Sequence, residues 1–138
     1  MTKIEWDDSL SVGIDLIDEQ HKMLIQRIKD LSEAVEQARG LEKILKTLDF
    51  MIDYTEFHFS TEERHMKKLE YPGLIPHKQQ HEEFISTLDR LVEDFEQDGA
   101  TEALSISTNT FLINWLVKHI KSIDKKFGKF LQEKGFKG

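Results

Sequence analysis

The stretch LEKILKTLDFMIDYTEFHFSTEERHMKKLEYPGLIPHKQQHEEF, residues 41–84, decides the fold. Its first part places Leu41, Leu45, Leu48, Ile52, Thr55, Phe59, Glu62, Met66 and Leu69 at spacings of three and four, the mark of a helix with one buried stripe. Tyr71-Pro72-Gly73 breaks that helix, because proline lacks an N–H donor and its ring clashes with the preceding turn. Pro76 suits the first turn of the next one, whose stripe runs through His77, His81, Phe84, Leu88, Leu91 and Phe95 and stops at Gln97-Asp98-Gly99. The same spacing recurs outward on both sides. Ile17, His21, Leu24, Ile28, Leu31 and Val35 mark an earlier helix with Gly40 as its terminator, and Leu104, Phe111, Trp115, His119, Ile123, Phe127 and Phe130 mark a later one. The predicted helices are about 17–36, 41–69, 76–97 and 101–133, and no stretch of comparable length alternates like a strand. Short connections make sequential helices antiparallel. The expected fold is therefore all-α, an up-down-up-down four-helix bundle. An N-terminal arm, 1–16, carries Ile4, Trp6, Leu10, Val12 and Ile14, too apolar for a disordered tail, and is expected to pack along the bundle.

Composition narrows the chemistry. The 138 residues, expected to form one domain over 1–138, hold 19 Lys+Arg against 26 Asp+Glu, for a formal charge of −7. That balance argues against nucleic acid, which wants a basic surface, and against an anionic membrane surface. No stretch approaches the roughly 20 apolar residues of a membrane span. The opening Met-Thr-Lys-Ile-Glu-Trp lacks the apolar core of a signal peptide, so a cytoplasmic location is expected. The absence of Cys excludes iron–sulfur clusters, thiolate zinc sites and cysteine nucleophiles. Histidine and carboxylate must carry any metal chemistry.

Five of the six histidines are placed to do so. His21, His81 and His119 sit inside apolar stripes, and His58 and His77 adjoin them at helical spacing. One histidine on an apolar face is usually a satisfied core residue; five need a shared explanation, since each unpaired buried ring nitrogen costs on the order of a kcal/mol or more. Counting gives their heights. His21 lies 15 residues before Glu36 and His58 lies 17 after Leu41; His81 lies 16 before Gln97 and His119 lies 18 after Thr101. At a rise of about 1.5 Å per residue, each antiparallel pair is level to within about 3 Å. Glu62 stands one turn after His58, and His77 and His81 form another i, i+4 pair. Asp124, five residues after His119, is about 140° away on an ideal helix, so it must lean across or use a local bulge. Five imidazoles and two bridging carboxylates offer nine donor atoms, too many for one tetrahedral zinc and suited to two metals side by side. With octahedral metals and one shared bridging oxygen, a single position stays open. Mixed nitrogen and oxygen ligands suit iron, although this set would also bind other divalent metals.

Four motifs in order, WDDSLSVGIDLIDEQH at 6–21, HFSTEE at 58–63, HKQQHEEF at 77–84 and WLVKHIKSID at 115–124, resemble the hemerythrin family, in particular its bacterial single-domain members, the bacteriohemerythrins. The resemblance covers nearly the whole chain. It implies two non-haem iron ions joined by an oxo or hydroxo bridge, His77, His81 and His119 holding one, His21 and His58 the other, and Glu62 and Asp124 bridging. It implies dioxygen as the ligand, bound reversibly at the open position of the second iron. Such binding needs a dry apolar pocket, for which Leu116, three residues before His119, is the expected wall, with Trp115 and Ile120 beside it.

His65 is read as a surface residue. Glu62-x-x-His65 also spells an element of ferritin-like di-iron proteins, but that class needs two such elements and the chain offers one. Glu63 and Glu82 are read as solvated. The expected function is oxygen storage, delivery or removal. A di-iron enzyme, whether peroxidase, oxidase or nitric oxide reductase, would use the same residues but need a substrate path and an electron donor. A sensor would act through a partner, because the short tail 134–138 is expected to leave no room for an output domain. A protein recipient of oxygen or an electron donor is the remaining class of partner. A purely structural bundle leaves five buried rings and two carboxylates unexplained.

Overall fold

Each predicted stripe falls on a helix, and the first three helices turn theirs inward. In this computed structural model, which describes residues 4–37 and 40–136, α1 spans Asp15–Glu36, α2 Leu41–Lys68, α3 Leu74–Asp98 and α4 Glu102–His119. A π-helical turn, Ile120–Asp124, joins α4 to α5, Lys125–Glu133, so that the last three elements form one rod. α1 and α3 each pack against α2 and α4, which closes an up-down-up-down bundle of four rods. No strand occurs among the described residues, and none of their helices is long and apolar enough to cross a membrane. The first three residues of the arm and the last two of the tail lie outside the described residues.

The helix ends follow local chemistry. Thr101 caps α4 by accepting the Leu104 N–H at 3.1 Å, satisfying one of the donors left over at a helix start. Gly40, read as the terminator of the first helix, instead precedes α2 with φ +91°. α3 begins at Leu74, two residues before the expected start, because Pro76 in its first turn gives up an N–H that has no partner there anyway. α1 begins at Asp15, and its Asp18 reaches back to accept the Val12 N–H at 2.8 Å and the Ser11 hydroxyl.

The arm packs as expected. Ile4, Leu10, Val12 and Ile14 are buried, and the Lys22 ammonium lies 4.5 Å from the centroid of the Trp6 ring. The arm crosses α5 so closely that a Cβ on Gly128 would stand 2.3 Å from the Val12 carbonyl oxygen. Gln132 donates to the Gly13 carbonyl at 3.1 Å from the same helix. Away from the arm, Leu48, Leu88, Phe95, Leu112, Phe127 and Leu131 are completely buried, each stabilising the fold by about 1.5–3 kcal/mol.

The fourth rod departs from its predicted stripe. Ser105, Thr108, Asn109, Leu112, Ile113 and Leu116 face inward, while Phe111 and Trp115 lie half-buried on its flank. From the π turn onward the inward residues are Ile120, Asp124, Phe127 and Leu131, and Ile123 and Phe130 are half-buried. Two causes combine. The inward face carries the polar Ser105, Thr108 and Asn109 while the apolar Phe111, Trp115 and Val117 extend beyond it, so hydrophobic periodicity does not choose the face, and the π turn adds one residue that rotates the later stripe.

Gly128→Ala is expected to destabilise the protein by about 1–3 kcal/mol, because the new methyl meets backbone that cannot yield. Thermal denaturation checks this, and an unchanged midpoint would show that the arm moves aside freely.

Candidate metal centre

The middle of the bundle holds a polar layer contributed by every rod. α1 supplies His21, α2 His58 and Glu62, α3 His77 and His81, and the fourth rod His119 and Asp124, none more than 3% exposed. They fall into two sets, Glu62 with His77, His81, His119 and Asp124, and His21 with His58, Glu62 and Asp124; within each set the facing atoms lie within 4.8 Å of one another. Both carboxylates belong to both sets. All seven residues singled out from the sequence therefore meet in one place. His65 does not join them and is half-buried against Phe136, with ring centroids 4.9 Å apart.

Asp124 reaches the layer because of the π turn. The Lys125 N–H donates to the Ile120 carbonyl, five residues back, and the extra residue undoes the angle of about 140° that a straight helix would put between Asp124 and His119. Asp124 then lies 3.2 Å from His119 Nε2, 3.0 Å from His77 Nε2 and 2.9 Å from His21 Nε2. Of the two ways open to this residue, the local bulge is the one used.

Three of the rings are oriented by neighbours that the sequence reading passed over. His58 Nδ1 donates to Gln20 Oε1 at 2.7 Å, His81 Nδ1 to Glu63 Oε2 at 2.8 Å and His119 Nδ1 to Gln80 Oε1 at 2.9 Å. Gln20, Glu63 and Gln80 each adjoin a cluster residue in sequence, so each points about 100° away from it, toward the next rod. The reading of Glu63 as solvated is thus corrected: that rotation turns it onto His81. Adjacency to a cluster residue on the side facing the next helix is the signal that would have found all three.

These outer bonds determine what the inner nitrogens can do. A neutral ring that donates through Nδ1 keeps a lone pair on Nε2. His81 Nε2 nevertheless faces His119 Nε2 at 3.2 Å, and His58 Nε2 faces Glu62 Oε1 at 3.3 Å. Lone pairs this close repel unless positive charge sits between them. Among the described residues, both oxygens of Glu62 and of Asp124 and both ring nitrogens of His21 and His77 are buried with no hydrogen bond, despite their short separations. So many orphaned acceptors aimed at common points fit metal cations.

The charges agree. Burial pushes the Glu62 carboxyl well above its ordinary range, and the Asp124 charge beside it adds to the effect. Burial also works to raise Asp124, but His119, His21 and His77 outweigh it and hold that carboxyl well below its usual range. His58 is held well below its ordinary value by burial and by the neighbouring His21, His81 and His119. Burial favours the neutral form of His21 too, yet Asp124, Glu62 and Asp18 keep its value raised.

One turn from the layer lies a small cavity. Leu24 is three residues after His21, Thr55 three before His58, Phe84 three after His81 and Leu116 three before His119, and all four line it together with Ile28, Met51, Phe59 and Trp115. Its volume is about 10 Å³, enough for one water-sized molecule. Trp115 stacks on His119 with centroids 4.4 Å apart and planes 13° apart. Ile120 is buried in the core but does not line the cavity.

Comparison with known proteins places this geometry. The hemerythrin HHE cation binding domain matches residues 12–131. The chain is 34% identical to a bacteriohemerythrin of Stenotrophomonas maltophilia over 127 residues, covering 92% of this chain and 80% of that one. It is also 34% identical to a myohemerythrin of Sipunculus nudus over 122 residues, 88% of each. A crystal structure of wild-type hemerythrin superposes with a TM-score of 0.83 at 28% identity, covering 93% of this chain and 97% of that one.

Removing metal from the loaded protein with a chelator under reducing conditions should lower its thermal midpoint by roughly 10 °C or more. Binding at a thousandfold excess over Kd contributes about 4 kcal/mol per site, and each kcal/mol moves the midpoint by about 2–4 °C in a chain of this size. Differential scanning calorimetry of the two forms checks it.

Proposed function

This chain belongs to the hemerythrin family, and on that premise we propose that it binds dioxygen reversibly at a non-haem di-iron centre built from the seven clustered residues, for storage, delivery or removal of oxygen. Hemerythrins are oxygen-binding proteins rather than classical enzymes. His77, His81 and His119 would hold one iron, His21 and His58 the other, and Glu62 and Asp124 would bridge them, in keeping with the two sets that share both carboxylates. A bound di-iron pair supplies two electrons and an open coordination position.

The chain's own contribution is placement and exclusion. Gln20, Glu63 and Gln80 hold three rings in the tautomer that presents Nε2 to the interior. Leu24, Leu116, Phe59 and Trp115 keep the approach dry, and no protein acid or base is needed beside them. The observation that carries the reading is the enclosed apolar cavity one turn from the nine-donor layer, with room for about one water-sized molecule. A diatomic ligand suits it, and an organic substrate does not. No described helix crosses a membrane, which is consistent with a cytoplasmic protein.

Iron analysis and visible absorption of the purified chain test the reading. Two irons per chain, with charge-transfer bands that appear on exposure to oxygen and vanish on deoxygenation over repeated cycles, are expected. Irreversible oxidation in the first cycle would favour a redox enzyme instead. His58→Ala and His119→Ala should each bring bound iron well below two per chain, and retention of two in both would overturn the assignment of these residues. Leu116→Asn should keep both irons but speed autoxidation, since a polar group in the cavity draws in water. A rate equal to the parent's would remove Leu116 from the pocket wall.

A further inference from the structure

The three bonds that orient the imidazoles are chemically unequal. His58 and His119 give their Nδ1–H to neutral amide oxygens of Gln20 and Gln80, whereas His81 gives its own to the Glu63 carboxylate at 2.8 Å. His21 and His77 have no partner at Nδ1 among the described residues. One of five rings therefore carries an anionic acceptor, and it belongs to the three-histidine set. The side chain of His81 is 2% exposed, while that of Glu63 is 24% exposed and borders a surface groove with Glu56, Ser60, Glu82 and Asp89. The acceptor thus stands at the edge of the bundle and the ring that gives it a proton stands inside, where a charge acts with little screening.

An anionic acceptor draws the Nδ1 proton toward itself and shifts electron density to Nε2, which makes the ring a stronger donor to a metal. A stronger donor favours the higher oxidation state. We propose that Glu63, acting through His81, biases the iron held by His77, His81 and His119 toward its ferric state and so sets the reduction potential of the pair. Glu63 is on this view a positioning and tuning residue and touches neither metal nor oxygen. The proposal rests on the ligand assignment above. Phe59, stacked on His81 with centroids 3.7 Å apart and planes 3° apart, holds the ring plane so that the Glu63 bond stays directed.

The decisive experiment is spectroelectrochemistry of the iron-loaded chain, each iron taking one electron between its ferric and ferrous states from an electrode through a soluble mediator. Glu63→Gln keeps an acceptor of the same shape and removes the charge; Gln80→Glu moves a carboxylate onto His119. The midpoint should shift to more positive values in the first and to more negative values in the second. Glu63→Gln should bind Co²⁺ roughly 10–100-fold more weakly than the parent in competition with a chelator, a readout independent of oxygen and redox cycling. Equal midpoints in parent and Glu63→Gln, both with two irons, would overturn the proposal. If Glu63→Gln loses iron, the Gln80→Glu midpoint decides alone, and an unshifted value overturns it. A parent with fewer than two irons per chain would instead bring down the underlying assignment, and the proposal with it.

Discussion

Acceptor atoms that face one another across a buried layer are the constraint on which this structure depends. His81 Nε2 and His119 Nε2, and His58 Nε2 and Glu62 Oε1, stand at hydrogen-bonding distance, lone pair toward lone pair when the rings are neutral and the carboxylate is charged. Solvent does little to compensate them, because none of the seven side chains is more than 3% exposed. An apolar replacement of the whole layer would be the cheaper way to build a four-helix bundle. That the chain keeps seven polar side chains at its centre makes sense only if cations compensate them, and the helices, caps and arm serve to hold that arrangement still.

Much of this was legible from residue spacing. The heights of His21, His58, His81 and His119 followed from counting along antiparallel helices, since the rise per residue is nearly invariant. The faces of α1, α2 and α3 followed from amphipathic stripes that polar residues bound clearly. The fourth rod resisted for a physical reason: its inward face carries the polar Ser105, Thr108 and Asn109, while the apolar Phe111, Trp115 and Val117 lie on its flanks, so apolar character and burial do not coincide. The supports Gln20, Glu63 and Gln80 are marked in the sequence only by adjacency to a cluster residue, because each acts across a gap between helices and leaves no trace in the period along one helix.

The π turn shows how a local irregularity can be the cost of a site. A continuous α-helix would keep its hydrogen bonds in register and turn Asp124 away from His119. The structure widens one turn instead, with Lys125 bonded to Ile120, and gains a carboxylate that reaches His21, His77 and His119. The same shift sets the register that buries Phe127 and Leu131, so the distortion is distributed through packing rather than confined to the metal layer.

The orienting bonds also have a sense of rotation. α1 steadies a ring on α2, α2 a ring on α3, α3 a ring on the fourth rod, and Asp124 on that rod returns to His21 on α1. The four rods thus hold one another like people in a circle, each with a hand on the next shoulder. Each bond pulls equally on both of its partners, so a displacement of any one rod loads the bonds on both of its sides, and the loop resists twisting as a closed ring does.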